Sequence, residues 1–472
     1  MKPLSRRRFV QSAALGAASA GVFPPCLSSH AAQRPNLLLI LVDDLGKEWL
    51  SCYGAQEIET PHIDALAEGG LVFENAYSMP QCTPSRVSLL TGQYPFRTGW
   101  VNHWDVPRWG VGYFDWQQNV SFPRALRDAG YATAAAGKWQ INDFRLEPEA
   151  MRKHGFDDWC MWTGYETGNP PSGKRYWDPY LNTPAGSRTD EGEFGPQVFT
   201  DFLTGFMEEH RDEPLFLYFP MALTHTPLIN TPLDPQAEGK LARHKAMVRY
   251  MDHCVGQLVA KLEQLGIRER TLIVFTTDNG STRSITGTRN GVEVAGAKAQ
   301  KTEAGVCAPF IVNAPGLVPP GKTDALTDFT DLAPTFCELA GAQMPDAVKR
   351  DGVSIAPLLR GQADDTPREW ILAMGHGPAI LDEQGVRGVE DFASRVIRNK
   401  RYKAWVNTER AIERLYDLQA DPFEQHNLLP DAADAHAVAL NGFRRVVESL
   451  PAQDARPQYR KRAPNPWDKQ KP

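Results

Sequence analysis

The chain has no Cys-x-x-Cys pair, no internal repeat and no excess of basic charge. Its seven cysteines, at 26, 52, 82, 160, 254, 307 and 337, are scattered through 472 residues without paired spacing. That scatter predicts neither a disulfide framework nor a zinc site. A formal net charge of -6 excludes wholesale nucleic-acid binding. The apolar stretch from Ala13 to Val22 falls well short of the roughly 20 residues that span a membrane, so no span is expected. The length, by contrast, exceeds one small domain and allows a large buried core.

The first residues include Ser5-Arg6-Arg7-Arg8-Phe9 ahead of a small-residue stretch. The pattern matches a twin-arginine export signal. Residues 1–32 are therefore expected to be a signal peptide, cut near Ala31 or Ala32. The twin-arginine export machinery becomes an expected partner, and the location periplasmic or secreted. Phe23-Pro24-Pro25 is a poor approach to a lipid-anchored Cys26.

Continuous apolar runs alternate with amphipathic helical patterns. Pro35 to Val42 reads as a strand buried on both faces, and Leu71 to Tyr77, Tyr131 to Ala136, Pro214 to Ala222, Thr271 to Thr277 and Pro309 to Asn313 read as further strands. Thr60 to Ala67, Ser121 to Ala129, Pro196 to His210, Lys240 to Leu265 and Asp331 to Leu339 read as helices. The alternation predicts an α/β fold, a doubly wound and mostly parallel sheet flanked by helices, over residues 33–368. From about Trp370 short strands appear, and residues 369–451 are expected to form a smaller antiparallel α+β subdomain. Residues 452–472 are polar and Pro-rich, read as a tail.

Four of the strands end in polar residues: Asp43 and Asp44, Lys138, His225, and Asp278 with Asn279. In open α/β sheets the ligand crevice lies beyond those ends, so residues distant in sequence converge. Asp43, Asp44, Asp278 and Asn279 are hard oxygen donors, suited to Ca²⁺ or Mg²⁺ rather than zinc. Helix capping is the competing use of such residues. Cys82 begins a helical pattern with Pro84 in its first turn and Gly92 beyond its end. Arg86 falls one turn later on the same face. His225, Lys138 and Lys298 add a proton carrier and two cations.

Cys82-Thr83-Pro84-Ser85-Arg86, with Leu90-Thr91-Gly92 behind it, resembles the signature of the type I sulfatases. The partners recur in order from Asp43 to Lys298, and Gly296 to Gly305 is similar to a further family segment in which Lys298 matches the catalytic lysine. The resemblance implies a sulfuric ester hydrolase. Cys82 would be oxidised to formylglycine (3-oxoalanine) by a maturation enzyme. Asp43, Asp44, Cys82, Asp278 and Asn279 would hold Ca²⁺, with Mg²⁺ the lesser alternative. Arg86, Lys138 and Lys298 would hold the sulfate oxygens, and His225 would protonate the leaving oxygen, with Lys298 as a second donor.

One position departs from the family pattern. Gln140 stands where the family usually has His, and Gln cannot act as a base at neutral pH. His103 is the candidate substitute. Residues 94 to 180 hold eight tryptophans, at 100, 104, 109, 116, 139, 159, 162 and 177, interleaved with Arg97, Arg108, Lys174 and Arg175. Trp faces stack on sugar rings and Arg pairs with anions. His103, Trp104 and Gln140 are thus candidate contacts to a sulfated small molecule or glycan, while core packing is the competing use of these tryptophans. Two further functions share the motif: a formylglycine-dependent phosphodiesterase or phosphonate monoester hydrolase, and an inactive binder of sulfated glycans.

Overall fold

The structure is a computed structural model that describes residues 34–102, 114–145, 147–163, 173–345, 348–375, 379–382, 385–429 and 434–456. The expected signal peptide, Cys26, His103, Trp104, Arg108, Trp109 and the last sixteen residues of the tail lie outside them. The described residues from Arg34 onward form one compact unit.

Strand β1 (Asn36–Val42) is buried along its whole length. Its side chains alternate between two cores, because successive Cβ atoms point to opposite faces of a strand. Leu37, Leu39 and Leu41 enter one core, and Leu38, Ile40 and Val42 the other. Around it lie β2 (Leu71–Tyr77), β3 (Ala132–Lys138), β4 (Asp158–Trp162), β5 (Tyr180–Thr183), β6 (Gly186–Thr189), β7 (Leu215–Pro220) and β8 (Thr271–Thr277). A separate hairpin follows, β9 (Thr286–Arg289) with β10 (Val292–Ala295), and then β11 (Cys307–Asn313) and β12 (Gly321–Asp328). The ten-stranded sheet runs β12-β2-β11-β8-β1-β7-β3-β4-β5-β6. β8, β1, β7, β3 and β4 form a parallel block. β11 is antiparallel to both β8 and β2, so β2 runs in the same direction as the block.

Helices cover both faces. Pro61–Glu68, Gly195–Glu209 and Gly239–Gln264 pack one core through Ile63, Phe199 and Met247. Cys82–Thr91, Phe122–Asp128 and Leu332–Ala340 pack the other through Val87, Leu126 and Phe336. In the long helix Met251, Cys254, Val255, Leu258 and Leu262 are buried, the stripe its 3.6-residue period predicts.

The C-terminal part has strand β13 (Ile371–Met374), a hairpin β14 (Ala379–Asp382) with β15 (Gly385–Gly388), and β16 (Arg395–Arg398), β17 (Tyr402–Val406) and β18 (Ile412–Asp417). β13, β16, β17 and β18 make an antiparallel sheet, and helix Asp434–Ser449 follows. The segment Asp158–Thr189, read above only for its tryptophans, instead supplies β4, β5 and β6. These strands have four or five residues, too few for a period to show.

Candidate active site

β1, β7, β3 and β8 all point their C-terminal ends to one edge, and the loops after them carry the polar groups. Asp43 and Asp44 follow β1. In a continuing strand they would face opposite ways. Asp44 instead takes a left-handed conformation, φ 63°, a region Asp tolerates. Both carboxylates and His225 then place one ligand atom each within 4.8 Å of one another. Asp43, Cys82 and Asp278 form a second such group.

Lys138 ends β3 fully buried. Gly137 before it has φ 125°, and a Cβ there would lie 2.0 Å from the Pro220 carbonyl oxygen. Only glycine lets β3 approach β7 so closely. Lys138 Nζ donates to Asp43 Oδ2 at 2.6 Å and lies 3.5 Å from Cys82 Sγ.

Cys82 opens the helix Cys82–Thr91, whose free N–H groups favour an anion there. Its bed is fixed from several sides. Ser85 Oγ donates to the Asp278 carbonyl at 2.5 Å. Arg86, buried, donates to the Lys138 carbonyl and to Asp278 Oδ2, each at 2.7 Å. Ala299 N donates to Pro80 O at 2.8 Å and so ties the Lys298 loop to the cysteine. Lys298 Nζ pairs with Asp44 Oδ1 at 2.5 Å. Asn279 Nδ2 donates to the same oxygen at 2.8 Å.

The cluster pairs three carboxylates with three cations. At Asp43 burial raises the pKa, but Lys138, His225, Arg86 and Lys298 together outweigh it and hold the carboxyl far below its ordinary range. Burial and the neighbouring Asp43 charge push Asp278 well above that range. Burial would lower Lys298, yet Asp44, Cys82 and Asp43 raise it well above an ordinary lysine. Burial, then the Lys298 charge, drives His225 well below an ordinary histidine. His225 Nδ1 lies 2.6 Å from the Thr226 carbonyl, which can only accept, so that nitrogen carries the proton. Nε2 faces the site, 3.8 Å from Asp44 Oδ2.

Two buried oxygens, Asp43 Oδ1 and Asn279 Oδ1, have no hydrogen-bond partner among the described residues. Such orphans cost about 1–3 kcal/mol each. A hard divalent cation held by Asp43, Asp44, Asp278 and Asn279 would satisfy both, so the donor set fits Ca²⁺.

Gln140 is buried at φ 66°, two residues beyond Lys138. The tryptophans divide. Trp100, Trp139, Trp159 and Trp162 are core residues. Trp116 lies under the Arg124 guanidinium, and Trp177 is exposed. Arg97 is tied to Asp351. Most of the described aromatic stretch therefore packs the fold. One group at the site has no sequence signal, and another has only a weak one. The Thr226 carbonyl, a backbone atom, has no residue-type signal. Arg175 was one cation among several in an aromatic stretch. No described helix is long and apolar enough to cross a membrane, and no disulfide joins the described cysteines.

The sulfatase family profile matches residues 35–342, and that of the C-terminal region of N-sulphoglucosamine sulphohydrolase matches 298–442. Human arylsulfatase A is 31% identical over 464 residues, spanning 88% of this chain and 87% of its own. Dog N-acetylgalactosamine-6-sulfatase is 32% identical over 366 residues, spanning 72% of this chain and 69% of its own. The crystal structure of Ps i-CgsB superposes with a TM-score of 0.74 at 25% identity, over 90% of this chain and 95% of its own. The same protein has been solved in complex with k-i-k-neocarrahexaose.

Proposed function

The chain belongs to the type I sulfatase family and is a sulfatase, and from that premise we propose that it releases inorganic sulfate from a sulfated carbohydrate, with Cys82 matured to formylglycine beside Ca²⁺. The observation that carries the reading is the placement of Cys82. It opens a helix, within 4.8 Å of Asp43 and Asp278 ligand atoms and 3.5 Å from Lys138 Nζ. The carbohydrate rests on the relatives, one named for N-acetylgalactosamine 6-sulfate and one solved with a carrageenan-type hexaose.

Formylglycine supplies a hydrated aldehyde as nucleophile, and a divalent cation supplies the Lewis acidity that ionises it near neutral pH. Asp43, Asp44, Asp278 and Asn279 would hold the cation. The protein's own groups do the rest. Arg86 is fixed by Asp278 and the Lys138 carbonyl, and it steadies the bed of residue 82. Lys138 and Lys298 present ammonium groups to the sulfate oxygens, where charge shifts during transfer. With Arg86, their charges balance three carboxylates in the resting site. A dication would then be offset by one negative charge on the ester and one on the nucleophile. Burial and the Lys298 charge favour the neutral form of His225, whose Nε2 faces the site. Protonated at Nε2 from solvent, it would give that proton to the departing oxygen, with Lys298 as a second donor.

The test is peptide mass spectrometry across residue 82 on protein made with a formylglycine-generating enzyme, paired with sulfate release from N-acetylgalactosamine 6-sulfate and carrageenan oligosaccharides. We expect the aldehyde and sulfate, with no alcohol or phosphate monoester formed from matched phosphodiesters. A thiol persisting at 82 in matured protein removes the nucleophile and the reading with it. Gln140 favours a second reading, a binder of sulfated glycans without turnover. A single turnover of sulfate decides between them. Export by the twin-arginine route to the periplasm belongs to the same proposal and is tested by cell fractionation with Arg6 and Arg7 changed to Lys.

A further inference from the structure

Arg86, Lys138 and Lys298 each lie within ion-pair distance of a carboxylate. Arg175 does not: no acidic group among the described residues lies within ion-pair distance of its guanidinium. It is nonetheless held as firmly as the others. The guanidinium lies 4.6 Å over the Trp162 ring and 5.5 Å from that of Tyr176. Trp162 is the register neighbour of Lys138, which puts Arg175 at the same sheet edge as the catalytic groups. Nη2 donates to the Thr226 carbonyl, the same oxygen that receives His225 Nδ1. Nε is buried and has no partner among the described residues.

The backbone under it is equally fixed. Gly195 N donates to Tyr176 O at 2.6 Å, and a Cβ on Gly195 would lie 2.3 Å from the Arg175 carbonyl oxygen. The Tyr176 hydroxyl lies against the Ala222 and His225 carbonyls. A cation 8% exposed, with a donor unused among the described residues, thus stands beside the group proposed to deliver a proton to the leaving oxygen. On the sulfatase reading the scissile sulfate would lie by Lys138 and Cys82, with the sugar beyond it toward Arg175.

We propose that Arg175 is a specificity-determining residue that recognises a second anionic group, a sulfate or a carboxylate, on the sugar bearing the scissile ester or on the unit next to it. The inference rests on the sulfatase reading for the position of that sugar. A planar guanidinium accepts either anion through paired N–H groups. Stacking on Trp162 holds the side chain in place before substrate arrives, so less ordering is lost on binding.

The test is calorimetric binding to Cys82→Ala protein, which needs neither maturation nor turnover. The probes are N-acetylgalactosamine 6-sulfate, its 4,6-disulfate, and the disaccharide of a uronic acid with N-acetylgalactosamine 6-sulfate. The first has no second anion, the second adds a sulfate, and the third adds a carboxylate. We expect at least one doubly charged probe to bind about tenfold more tightly than the first, and the stronger of the two identifies the anion. Adding Arg175→Gln should remove that advantage and change the first probe less than threefold. Arg175→Lys should keep part of it and guards against a folding defect, with thermal unfolding as the check. Equal binding of all probes, binding of none, or an equal loss on all three in the Arg175→Gln protein overturns the inference. In matured enzyme the same variant should raise KM for the doubly charged substrate and leave kcat within threefold. A thiol at residue 82 would sink the hydrolase reading and leave these binding results standing.

Discussion

Arg86 and Lys298 are both cations of the site, but their removal should differ in kind. Arg86 is 1% exposed and paired with Asp278, which is fully buried. Arg86→Ala would strand that carboxylate, a loss of about 3–5 kcal/mol. Lys298 is 17% exposed, and Asp44 keeps the Asn279 amide when Lys298 is lost. Both variants should abolish sulfate release. Only Arg86→Ala should lower Tm by many degrees, and comparable melting of the two would refute the difference. The two orphaned oxygens lead to a second expectation. Chelation should lower Tm, Ca²⁺ should restore it, and Asn279→Ala should blunt the response. Differential scanning fluorimetry reads all three, and an unchanged Tm on chelation counts against a cation held by these residues. Much of this site was legible in sequence, because strand ends and one long motif carry residue types the chemistry needs. What was not legible depends on backbone atoms or on burial. Nothing in the sequence separates Arg175 from Lys174, which is exposed and tied to Asp178, and nothing marks a carbonyl shared by two donors.

At the level of elements, the loop bearing Lys298 is anchored through Glu303, which begins helix Glu303–Val306. Its carboxylate joins three elements. It accepts from Tyr77 at the end of β2, Arg398 in β16 and Lys403 in β17, the last at 3.0 Å. Burial alone would raise its pKa, but Arg398 and Lys403 outweigh that and bring it to about 2, from an ordinary 4.5. A depressed carboxylate stabilises the fold fully above its unfolded pKa and loses that contribution as pH falls toward its folded one. The shift corresponds to about 3 kcal/mol, lost between roughly pH 4.5 and 2. Glu303→Gln should therefore be less stable than the parent at pH 7, and the two stability curves should converge in acid. Curves that stay parallel would show that the network does not act through ionisation. The strands of this region show what sequence reveals about elements. β1 and β7, buried on both faces, announced themselves as nearly unbroken apolar runs, whereas β2 and β3 carry polar residues within theirs. β12 was missed because its exposed first half, Gly-Lys-Thr-Asp, resembles a loop. The direction of β11 could not be read, since it turns back beside β8 by way of loops and a hairpin rather than a helical crossover.

The whole molecule is held by cores that ignore the change in sequence character near Trp370. Ile371, Leu372, Ile397, Leu415 and Phe443 from the C-terminal part share one cluster with Leu37, Leu39 and Leu41 of the central strand. The C-terminal sheet thus completes the face of the large one. The end of the described chain is tied in as well. Arg395 is fully buried and pairs with Asp454 at 2.8 Å, while Asp454 also accepts from Ala393 N. A protein with a shared core should unfold as one cooperative unit, whereas loosely docked parts would melt separately. Asp454→Ala makes the distinction measurable, because it strands a buried guanidinium in the C-terminal part at a loss of about 3–5 kcal/mol. If the core is continuous, calorimetry of this variant shows a single transition at a lower Tm, and sulfate release at 25 °C survives. A new low-temperature transition beside an unshifted main one would mean that the C-terminal sheet melts alone. It would also mean that the Glu303 network, not the apolar core, is what joins that sheet to the catalytic edge.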